Sequence, residues 1–378
     1  MKIEIHKYGG TSLGTIHRIK KLTQKINSNS NNKLVIIVSA IYGYTNQLIK
    51  IFKKTHYSLN SSAANTTITL GEILSAALLT AIIKHNTNTK VTFKTAWQLP
   101  IITHTHIYTN TIKYINKKHL KRIIKNNKII ILCGFQGINK LQYLTKLDRG
   151  GSDTTALAIA HTLKQHTCQL YKDVKGIHQL DPNKHNNTSN YKQVNYKTLI
   201  ELASAGSKII NINTIYMAFK KNIKIALKYS FENYIYNKTY TYITHTHTMV
   251  KLIHSSNTLL VTIKNNTYKC LKIIKKTNIT PGLLKITPNT LKILINKDEI
   301  YQLHKILPNT KTQKVVCISI IGIGLHKCKK YSLNILKTIN KNNIYIYEIN
   351  ITETLIKIIT HRTLEVKVMK LIRKITKI

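Results

Sequence analysis

Two short segments of the chain place consecutive glycines beside residues that can do chemistry: residues 7–12 (KYGGTS) and residues 148–155 (DRGGSDTT). Paired glycines let the backbone approach a ligand closely, and the N-terminus of a following helix presents unpaired N–H groups to an anion. Either segment alone could be an ordinary tight turn, because glycine pairs are common in turns. Two such segments facing each other at the carboxyl edge of one parallel sheet would form a phosphate site.

Acidic residues are so scarce in this chain that their positions are informative. The 378 residues include 59 Lys and Arg but only 13 Asp and Glu. No acid lies between Glu72 and Asp148, and four then fall within residues 148–181, the stretch that also holds the second glycine pair. Arg149 is one of only a few arginines, and its planar guanidinium can grip a carboxylate bidentately, as a lysine ammonium cannot. The clustering predicts that the chemistry lies here.

The formal net charge of +46 would by itself suggest a nucleic-acid-binding protein. The lysines are spread along the whole chain, however, without a basic block or an RNA-binding motif. Lys, Asn, Ile and Tyr have A/T-rich codons, so we favour an A/T-rich genome as the cause. Nucleic-acid binding is therefore not expected.

Other features indicate the class of protein. The first seven residues (MKIEIHK) alternate as a strand does and show no apolar signal region, so we expect a cytoplasmic protein that is not associated with a membrane. The five cysteines form no CxxC pair or zinc spacing, which favours reduced thiols. Alternating histidines at positions 104 and 106, and at 245 and 247, could pair on a metal, but an exposed edge strand is the favoured interpretation. No metal site is expected.

The elements that must position these residues alternate between strands and helices. Strand patterns at residues 2–7, 33–39, 129–133 and 168–171 are interleaved with helix patterns beginning near residues 16, 72, 153 and 199. This order predicts an α/β fold with a parallel sheet. After about residue 235 the pattern becomes shorter, and residues 315–375 read as βαββα. We expect a catalytic domain at 1–235 and two smaller modules at 250–312 and 313–378.

Five segments in order resemble the aspartate kinases of the amino acid kinase superfamily. They are residues 7–13 (KYGGTSL), 133–138 (CGFQGI), 148–156 (DRGGSDTTA), 173–182 (DVKGIHQLDP) and 199–209 (LIELASAGSKI). The tail resembles that family's paired ACT regulatory domains faintly, most clearly at residues 319–324 (SIIGIG). The resemblance implies an open, mostly parallel sheet sandwiched by helices, followed by ferredoxin-like βαββαβ modules of the ACT type.

The resemblance also implies a role for each matching residue. The implied catalytic residues are Lys7, Asp153 and Lys208. The implied L-aspartate-binding residues are Ser39, Thr45, Glu72, Arg149, Gly150, Gly151 and Ser152. The implied nucleotide-binding residues are Lys7, Tyr8, Gly9, Gly10, Ser12, Lys172, Asp173, His178, Asp181, Pro182, Asn183 and Lys208. Glu72 would bind the substrate ammonium group, Arg149 its α-carboxylate, and Lys7 the transferring phosphoryl group.

Four positions depart from the family pattern. The family usually has a small hydroxyl residue at Lys172, an acid or small polar residue at Lys175, an aromatic residue at His178 and an arginine at Asn183. We therefore expect weaker nucleotide binding, with Lys184 as a replacement for the missing cation if its loop shifts by one residue.

The expected function is ATP-dependent phosphorylation of the β-carboxylate of L-aspartate with Mg²⁺, the first step toward lysine, threonine and methionine. A homodimer formed through the C-terminal ACT-like region is expected. Two alternatives stay open: a superfamily member that phosphorylates glutamate, acetylglutamate or UMP, and a basic anion-binding protein with weakened catalysis.

Overall fold

The computed structural model describes residues 2–27, 32–105, 110–148, 150–185, 188–231, 240–245, 252–264, 279, 281–287, 290–306, 310–322, 329–352 and 354–376. The chain forms two compact units. The first comprises Met1–Ile177, Asn190–Tyr196 and Ile209–His247, and the second comprises His178–Ser189, Lys197–Lys208 and Thr248–Ile378.

Fourteen described strands precede residue 245. They are β1 (Ile3–Tyr8), β2 (Lys33–Val38), β3 (Val91–Lys94), β4 (Ile101–Thr105), β5 (Asn110–Ile115), β6 (Ile129–Cys133), β7 (Gln136–Ile138), β8 (Leu144–Lys146), β9 (Thr167–Lys172), β10 (Ile177–His178), β11 (Asn190–Tyr191), β12 (Gln193–Asn195), β13 (Lys224–Tyr229) and β14 (Tyr240–Thr244). Eight of them form one sheet in the order β12-β14-β13-β9-β1-β2-β6-β3. Every neighbouring pair is parallel except β13 with β14. A smaller sheet has the order β5-β4-β7-β8.

The described helices of this part of the chain are α1 (Ile16–Asn27), α2 (Tyr44–Lys53), α3 (Ser62–Asn86), α4 (Lys117–Asn126), α5 (Gly151–Thr162), α6 (Tyr196–Ser204) and α7 (Ile212–Lys220). Alternate residues of the central strands, such as Ile36 and Ile131, pack with apolar residues of α1 and α3. The intervening residues, such as Ile37 and Leu132, are equally buried. Strands that are covered on both faces need continuous apolar runs, which is what the sequence shows. The predicted fold class is confirmed.

Helix α3 begins ten residues before the predicted start at Glu72. Ser61 caps it, its hydroxyl oxygen accepting the N–H of Ala64 at 3.1 Å. The hydroxyls of Thr66 and Thr67 donate to carbonyl oxygens four residues earlier in the same helix. These polar residues interrupt the helical spacing of apolar residues, which is why the sequence does not show the first turns. Among the described helices, α3 is long and apolar enough to cross a membrane by length and composition, but half of its most apolar window is buried in the fold, as in the core helix of a globular protein.

The second unit contains a six-stranded antiparallel sheet in the order β16-β17-β15-β18-β20-β19. Its elements are β15 (Leu252–Lys264), β16 (Leu283–Ile286), β17 (Thr290–Ile295), α8 (Ile300–Ile306), β18 (Lys311–Ile321), α9 (Lys329–Lys341), β19 (Ile346–Ile351), β20 (Leu355–His361) and α10 (Glu365–Thr376). The predicted βαββα order of residues 315–375 is present. Strands β15 and β18 pair along their length, so both C-terminal segments contribute to one sheet.

The second unit also includes residues from within the predicted catalytic segment. Leu180 is buried in the same apolar cluster as Ile253, Ile318 and Ile356. Strand β18 begins at Lys311, just before the boundary predicted between residues 312 and 313. The domain limits of 1–235, 250–312 and 313–378 stay predictions.

Candidate active site

A buried carboxylate, that of Asp153, lies between two lysine ammonium groups in the first unit. Its Oδ1 is 2.7 Å from Nζ of Lys7, and its Oδ2 is 2.7 Å from Nζ of Lys172. Lys7 lies near the carboxyl end of β1, Lys172 ends the neighbouring parallel strand β9, and Asp153 is in the first turn of α5. Parallel neighbours end at the same edge of a sheet, and this edge is where the three side chains converge.

The three charges fix the ionisation of the cluster. Burial alone would raise the pKa of Asp153, but the ammonium groups of Lys172 and Lys7 outweigh it and lower that pKa to about 2. Burial lowers the pKa of Lys7, and attraction to Asp153 opposes this shift. Asp153 is therefore a carboxylate at any physiological pH. It can orient a lysine but cannot act as a proton donor.

Glu72, on α3, is a second buried carboxyl group, only 3% exposed. Its Oε1 accepts the backbone N–H of Ala40 at 3.1 Å, whereas its Oε2 is buried and has no hydrogen-bond partner among the described residues. Burial raises the pKa of Glu72 to about 7, against the lowering effects of the Ala40 N–H and Lys7. A buried carboxylate oxygen without a donor is an acceptor site for a cationic ligand group.

The two carboxyl groups belong to one cleft of about 230 Å³. Its lining consists of Lys7, Ser39, Ala40, Thr45, Glu72, Phe135, Gly150, Gly151, Ser152, Asp153 and Lys172. All of these residues belong to the first unit. The structure thus brings together the predicted L-aspartate-binding residues except Arg149, which lies outside the described residues. Their roles stay predictions.

Each glycine segment is held by a steric requirement. A Cβ on Gly10 would lie 2.5 Å from the carbonyl oxygen of Ala40. Only glycine therefore fits where the loop after β1, which contains Gly10, meets the loop after β2, which contains Ala40. Gly150 has a φ of +84° and is the N-cap of α5, which starts two residues before the predicted start at Asp153. A Cβ there would also lie 2.6 Å from Cβ of Asn211. The first segment continues as a 3₁₀ turn (Gly10–Leu13), and α1 begins only at Ile16.

The other predicted nucleotide residues of this segment contribute in different ways. The side chain of Tyr8 is buried and stacks on Tyr171 with ring centroids 4.6 Å apart, so only its backbone could contact a ligand. Gly9 donates its N–H to the carbonyl oxygen of Tyr171 at 3.2 Å. The hydroxyl oxygens of Ser12 and Ser230 are 2.7 Å apart. Asp173 is exposed after the end of β9.

The remaining predicted nucleotide residues are in the second unit: His178, Asp181, Pro182, Asn183 and Lys208. His178 Nδ1 lies 3.1 Å from the carbonyl oxygen of Thr188, and Asp181 Oδ1 accepts the N–H of Asn183 at 3.0 Å. Their place in a nucleotide site, and that of Lys208 in catalysis, stay predictions.

Lys184, the predicted replacement cation, is already engaged within the second unit. Its Nζ donates to the hydroxyl of Ser255 at 3.0 Å and lies 3.2 Å from Oε1 of Glu365. Using Lys184 for a nucleotide would require these contacts to be exchanged.

The sequence analysis missed three features of the cleft: the ion pair of Lys172 with Asp153, the hydrogen bond from the Ala40 N–H to Glu72, and Phe135 as a lining residue. Phe135 could have been predicted, because it lies inside the CGFQGI segment. The other two could not, because they depend on which strands and loops become neighbours.

Other candidate sites carry less chemistry. Among the described residues, no group of three His, Cys, Asp or Glu side chains could hold a metal ion. The ring of His245 packs against Tyr196 and Phe219, while His106 and His247 lie outside the described residues. Cys133, Cys168 and Cys317 are buried and free, as expected; Cys270 and Cys328 lie outside the described part of the chain.

Comparison with known proteins bears on this geometry. Residues 2–228 match the sequence model described as the amino acid kinase family. The chain is 30% identical to the aspartokinase of Rickettsia felis over 95% of each chain, and 30% identical to that of Rickettsia conorii over 93% of this chain and 94% of the relative. Its fold matches E. coli aspartokinase III in complex with aspartate and ADP, with a TM-score of 0.76 and 15% identity over 99% of each chain.

Proposed function

The chain belongs to the amino acid kinase family, and within it to the aspartokinases; on that premise we propose how its cleft phosphorylates the β-carboxylate of L-aspartate with ATP. The premise follows from the family match over residues 2–228 and from the relatives that align along nearly the whole chain. The product is 4-phospho-L-aspartate.

One observation supports this proposal most strongly: the same cleft has an anionic part and a cationic part. The unpartnered Oε2 of Glu72 can accept the substrate ammonium group. Lys7 and Lys172 supply positive charge for phosphoryl oxygens. An amino acid that receives a phosphoryl group needs both, because its ammonium group must be held while negative charge accumulates at the other end.

In the proposed reaction, one oxygen of the β-carboxylate attacks the γ-phosphorus, and the bond from that phosphorus to the bridging oxygen of ADP breaks. Phosphoryl transfer asks the protein mainly for positioning and charge neutralisation. Lys7, oriented by Asp153, would neutralise the transferring group. Backbone N–H groups of the two glycine segments that are not donated within the fold, as those of Gly9 and Gly151 are, would contact phosphate oxygens. Arg149 would grip the substrate α-carboxylate.

We treat Mg²⁺ as part of the substrate MgATP. Mg²⁺ in such sites is usually held by one or two carboxylates together with substrate phosphates and water. The cleft carboxylate nearest the lysines, Asp153, is already paired with both of them. This donor set suits an ion that is held chiefly by phosphate oxygens, where it would neutralise charge on the β- and γ-phosphates.

The test is formation of an acyl phosphate, trapped as a hydroxamate, with L-aspartate and with L-glutamate as acceptors. We expect product with aspartate and little with glutamate or acetylglutamate. Purified, folded protein that phosphorylates none of these acceptors would remove the aspartate kinase proposal and leave two alternatives, phosphorylation of UMP and a basic anion-binding protein.

Two further properties are proposed on the same premise: a cytoplasmic location and a homodimer formed through the ACT-like second unit. Light scattering at micromolar concentration should give twice the chain mass of 43.3 kDa. A monomer at all concentrations would contradict the dimer.

A further inference from the structure

Arg18 lies in the first turn of α1 and makes two contacts with other parts of the first unit. Its Nη1 donates to the carbonyl oxygen of Thr11 at 2.9 Å, and its guanidinium carbon lies 4.7 Å from the centre of the Phe231 ring. Thr11 belongs to the first glycine segment, whereas Phe231 follows β13. One side chain thus joins the loop after β1 to the loop after β13.

Both loops are also bonded to β9, the strand that lies between β1 and β13 in the sheet. Gly9 donates its N–H to the carbonyl oxygen of Tyr171 at 3.2 Å, and Ser230 donates its N–H to that of Lys172 at 2.8 Å. The hydroxyl oxygens of Ser12 and Ser230 are 2.7 Å apart. The ends of three neighbouring strands therefore share one hydrogen-bonded network, to which the guanidinium group adds its two contacts.

Helix stability does not account for an arginine at position 18. The N-terminus of a helix carries partial positive charge, so a cation in the first turn is mildly unfavourable. The first turn of α1 contains no acidic residue, and no carboxylate of the described residues forms an ion pair with Arg18. Arg18 does not line the cleft either. The two groups that it contacts are what explain its position.

These two contacts depend on the planar shape of the guanidinium group. An N–H in its plane can donate to a carbonyl oxygen while its face packs on an aromatic ring. The ammonium group of a lysine has no such face, so it cannot make both contacts in one fixed geometry. The residue type, and not only the positive charge, is therefore required.

From this geometry we infer that Arg18 and Phe231 are positioning residues, which fix the turn whose N–H groups receive the nucleotide. The inference rests on the proposed function, which supplies that nucleotide. Gly10 and Thr11 begin the 3₁₀ turn, so their N–H groups have no partner within it. Arg18 holds the carbonyl oxygen of Thr11 and so limits rotation of the backbone in the middle of this turn. Donors that are already fixed bind an anion without a further ordering cost.

The experiment measures steady-state ADP release by the full-length protein, with ATP and L-aspartate varied in turn. Arg18→Met removes both contacts, and Arg18→Lys keeps the charge without the planar group. Phe231→Leu removes the aromatic ring, whereas Phe231→Tyr keeps it. The control is Arg122→Met, which removes the same charge from an exposed position on α4 that does not line the cleft. Thermal unfolding of each variant checks the fold.

We expect the KM for ATP to rise about tenfold in Arg18→Met, Arg18→Lys and Phe231→Leu, because the turn binds the nucleotide less well when it is not fixed. The KM for aspartate should change by about twofold or less. Phe231→Tyr and the control should match the wild type. Because the two side chains act as one unit, combining Arg18→Met with Phe231→Leu should raise the KM for ATP about as much as either change alone.

An unchanged KM for ATP in folded Arg18→Met would overturn the inference. A parallel rise in both KM values would also overturn it, because that result indicates a general loss of structure. Wild-type behaviour of Arg18→Lys, or an equal effect in the Arg122→Met control, would show that positive charge alone matters and would overturn it too.

Aspartyl hydroxamate formation by the wild type, measured in parallel, separates this inference from the proposed function. An active wild type with an unchanged KM for ATP in Arg18→Met refutes the role of Arg18 and Phe231 alone. A folded wild type that forms no hydroxamate refutes the proposed function, and calorimetric ADP binding then tests the two residues. Binding about tenfold weaker in Arg18→Met supports their role, and equal binding refutes it. A wild type that binds no ADP refutes both.

Discussion

Aspartate binding should depend on pH through Glu72. The carboxyl group is buried, and burial raises its pKa to about 7. Only the ionised form can pair with the substrate ammonium group. About one tenth of the free protein carries this form at pH 6 and about nine tenths at pH 8. The KM for aspartate should therefore fall about tenfold between these pH values, while the KM for ATP stays nearly constant.

The assay is steady-state ADP release between pH 6 and pH 8.5, with each substrate varied in turn. Glu72→Gln should raise the aspartate KM and remove its pH dependence. Glu348→Gln, which removes a carboxylate of the second unit that lies 3.8 Å from Lys285, should leave that dependence intact. A flat aspartate KM in the wild type, or a parallel change in both KM values, would refute the assignment of Glu72 to the ammonium group.

Four further outcomes are expected, three from the geometry of the cleft and one, at Arg149, from the resemblance to the family. Glu72→Gln should stabilise the unliganded protein at pH 8 but hardly at pH 4. The folded protein holds the Glu72 proton more tightly than the unfolded chain, whose pKa is 4.5, so this group favours folding at low pH. As the pH rises through about 7 this contribution is lost, and the free energy of unfolding falls by about 3 kcal/mol. Thermal unfolding at the two pH values checks this. Lys7→Met should lower kcat by about a hundredfold to a thousandfold with small changes in both KM values, because it removes charge stabilisation of the transferring group. Gly10→Ala should destabilise the protein by about 2 kcal/mol in urea unfolding, because its Cβ would lie 2.5 Å from the Ala40 carbonyl oxygen; unchanged stability would mean that the two loops can separate. Arg149→Lys should raise the aspartate KM far more than the ATP KM, and equal effects would show that this guanidinium does not grip the α-carboxylate.

The parts of the fold that the sequence predicts well are those where one physical requirement acts alone. Residues 129–133 are a run of apolar residues, and they form β6 with the predicted bounds. The glycine segments can be recognised in the sequence for the same reason. The close approach of the Ala40 carbonyl oxygen at Gly10 and the positive φ at Gly150 both strongly favour glycine over any other residue. These requirements are local, so they remain visible in a single sequence.

Prediction fails where two requirements overlap. The first turns of α3 are rich in threonine, a composition that is typical of loops, so the sequence does not show where the helix starts. In the structure the hydroxyls of these threonines donate to carbonyl oxygens of the helix itself. Ile16 has the helical spacing of a core residue but is 49% exposed, because α1 begins there, after a 3₁₀ turn. The pairing of Lys172 with Asp153 depends on β9 lying beside β1, which no local pattern states.

Lys172 is one of the many lysines of this strongly basic chain, and it lies in the candidate active site. In an exposed position an added lysine is solvated and costs little, so the chain can carry 59 Lys and Arg against 13 Asp and Glu. A buried lysine is different, because its charge must be paired or it destabilises the fold. At the edge of the sheet where β1 and β9 end, Asp153 already binds Lys7 and can accept a second ammonium group on its other oxygen. The same cleft also holds the Glu72 carboxyl group, so the two lysines share it with two acidic side chains. A lysine that would disrupt an apolar core is therefore compatible with the fold at this position, where a buried carboxylate pairs with it.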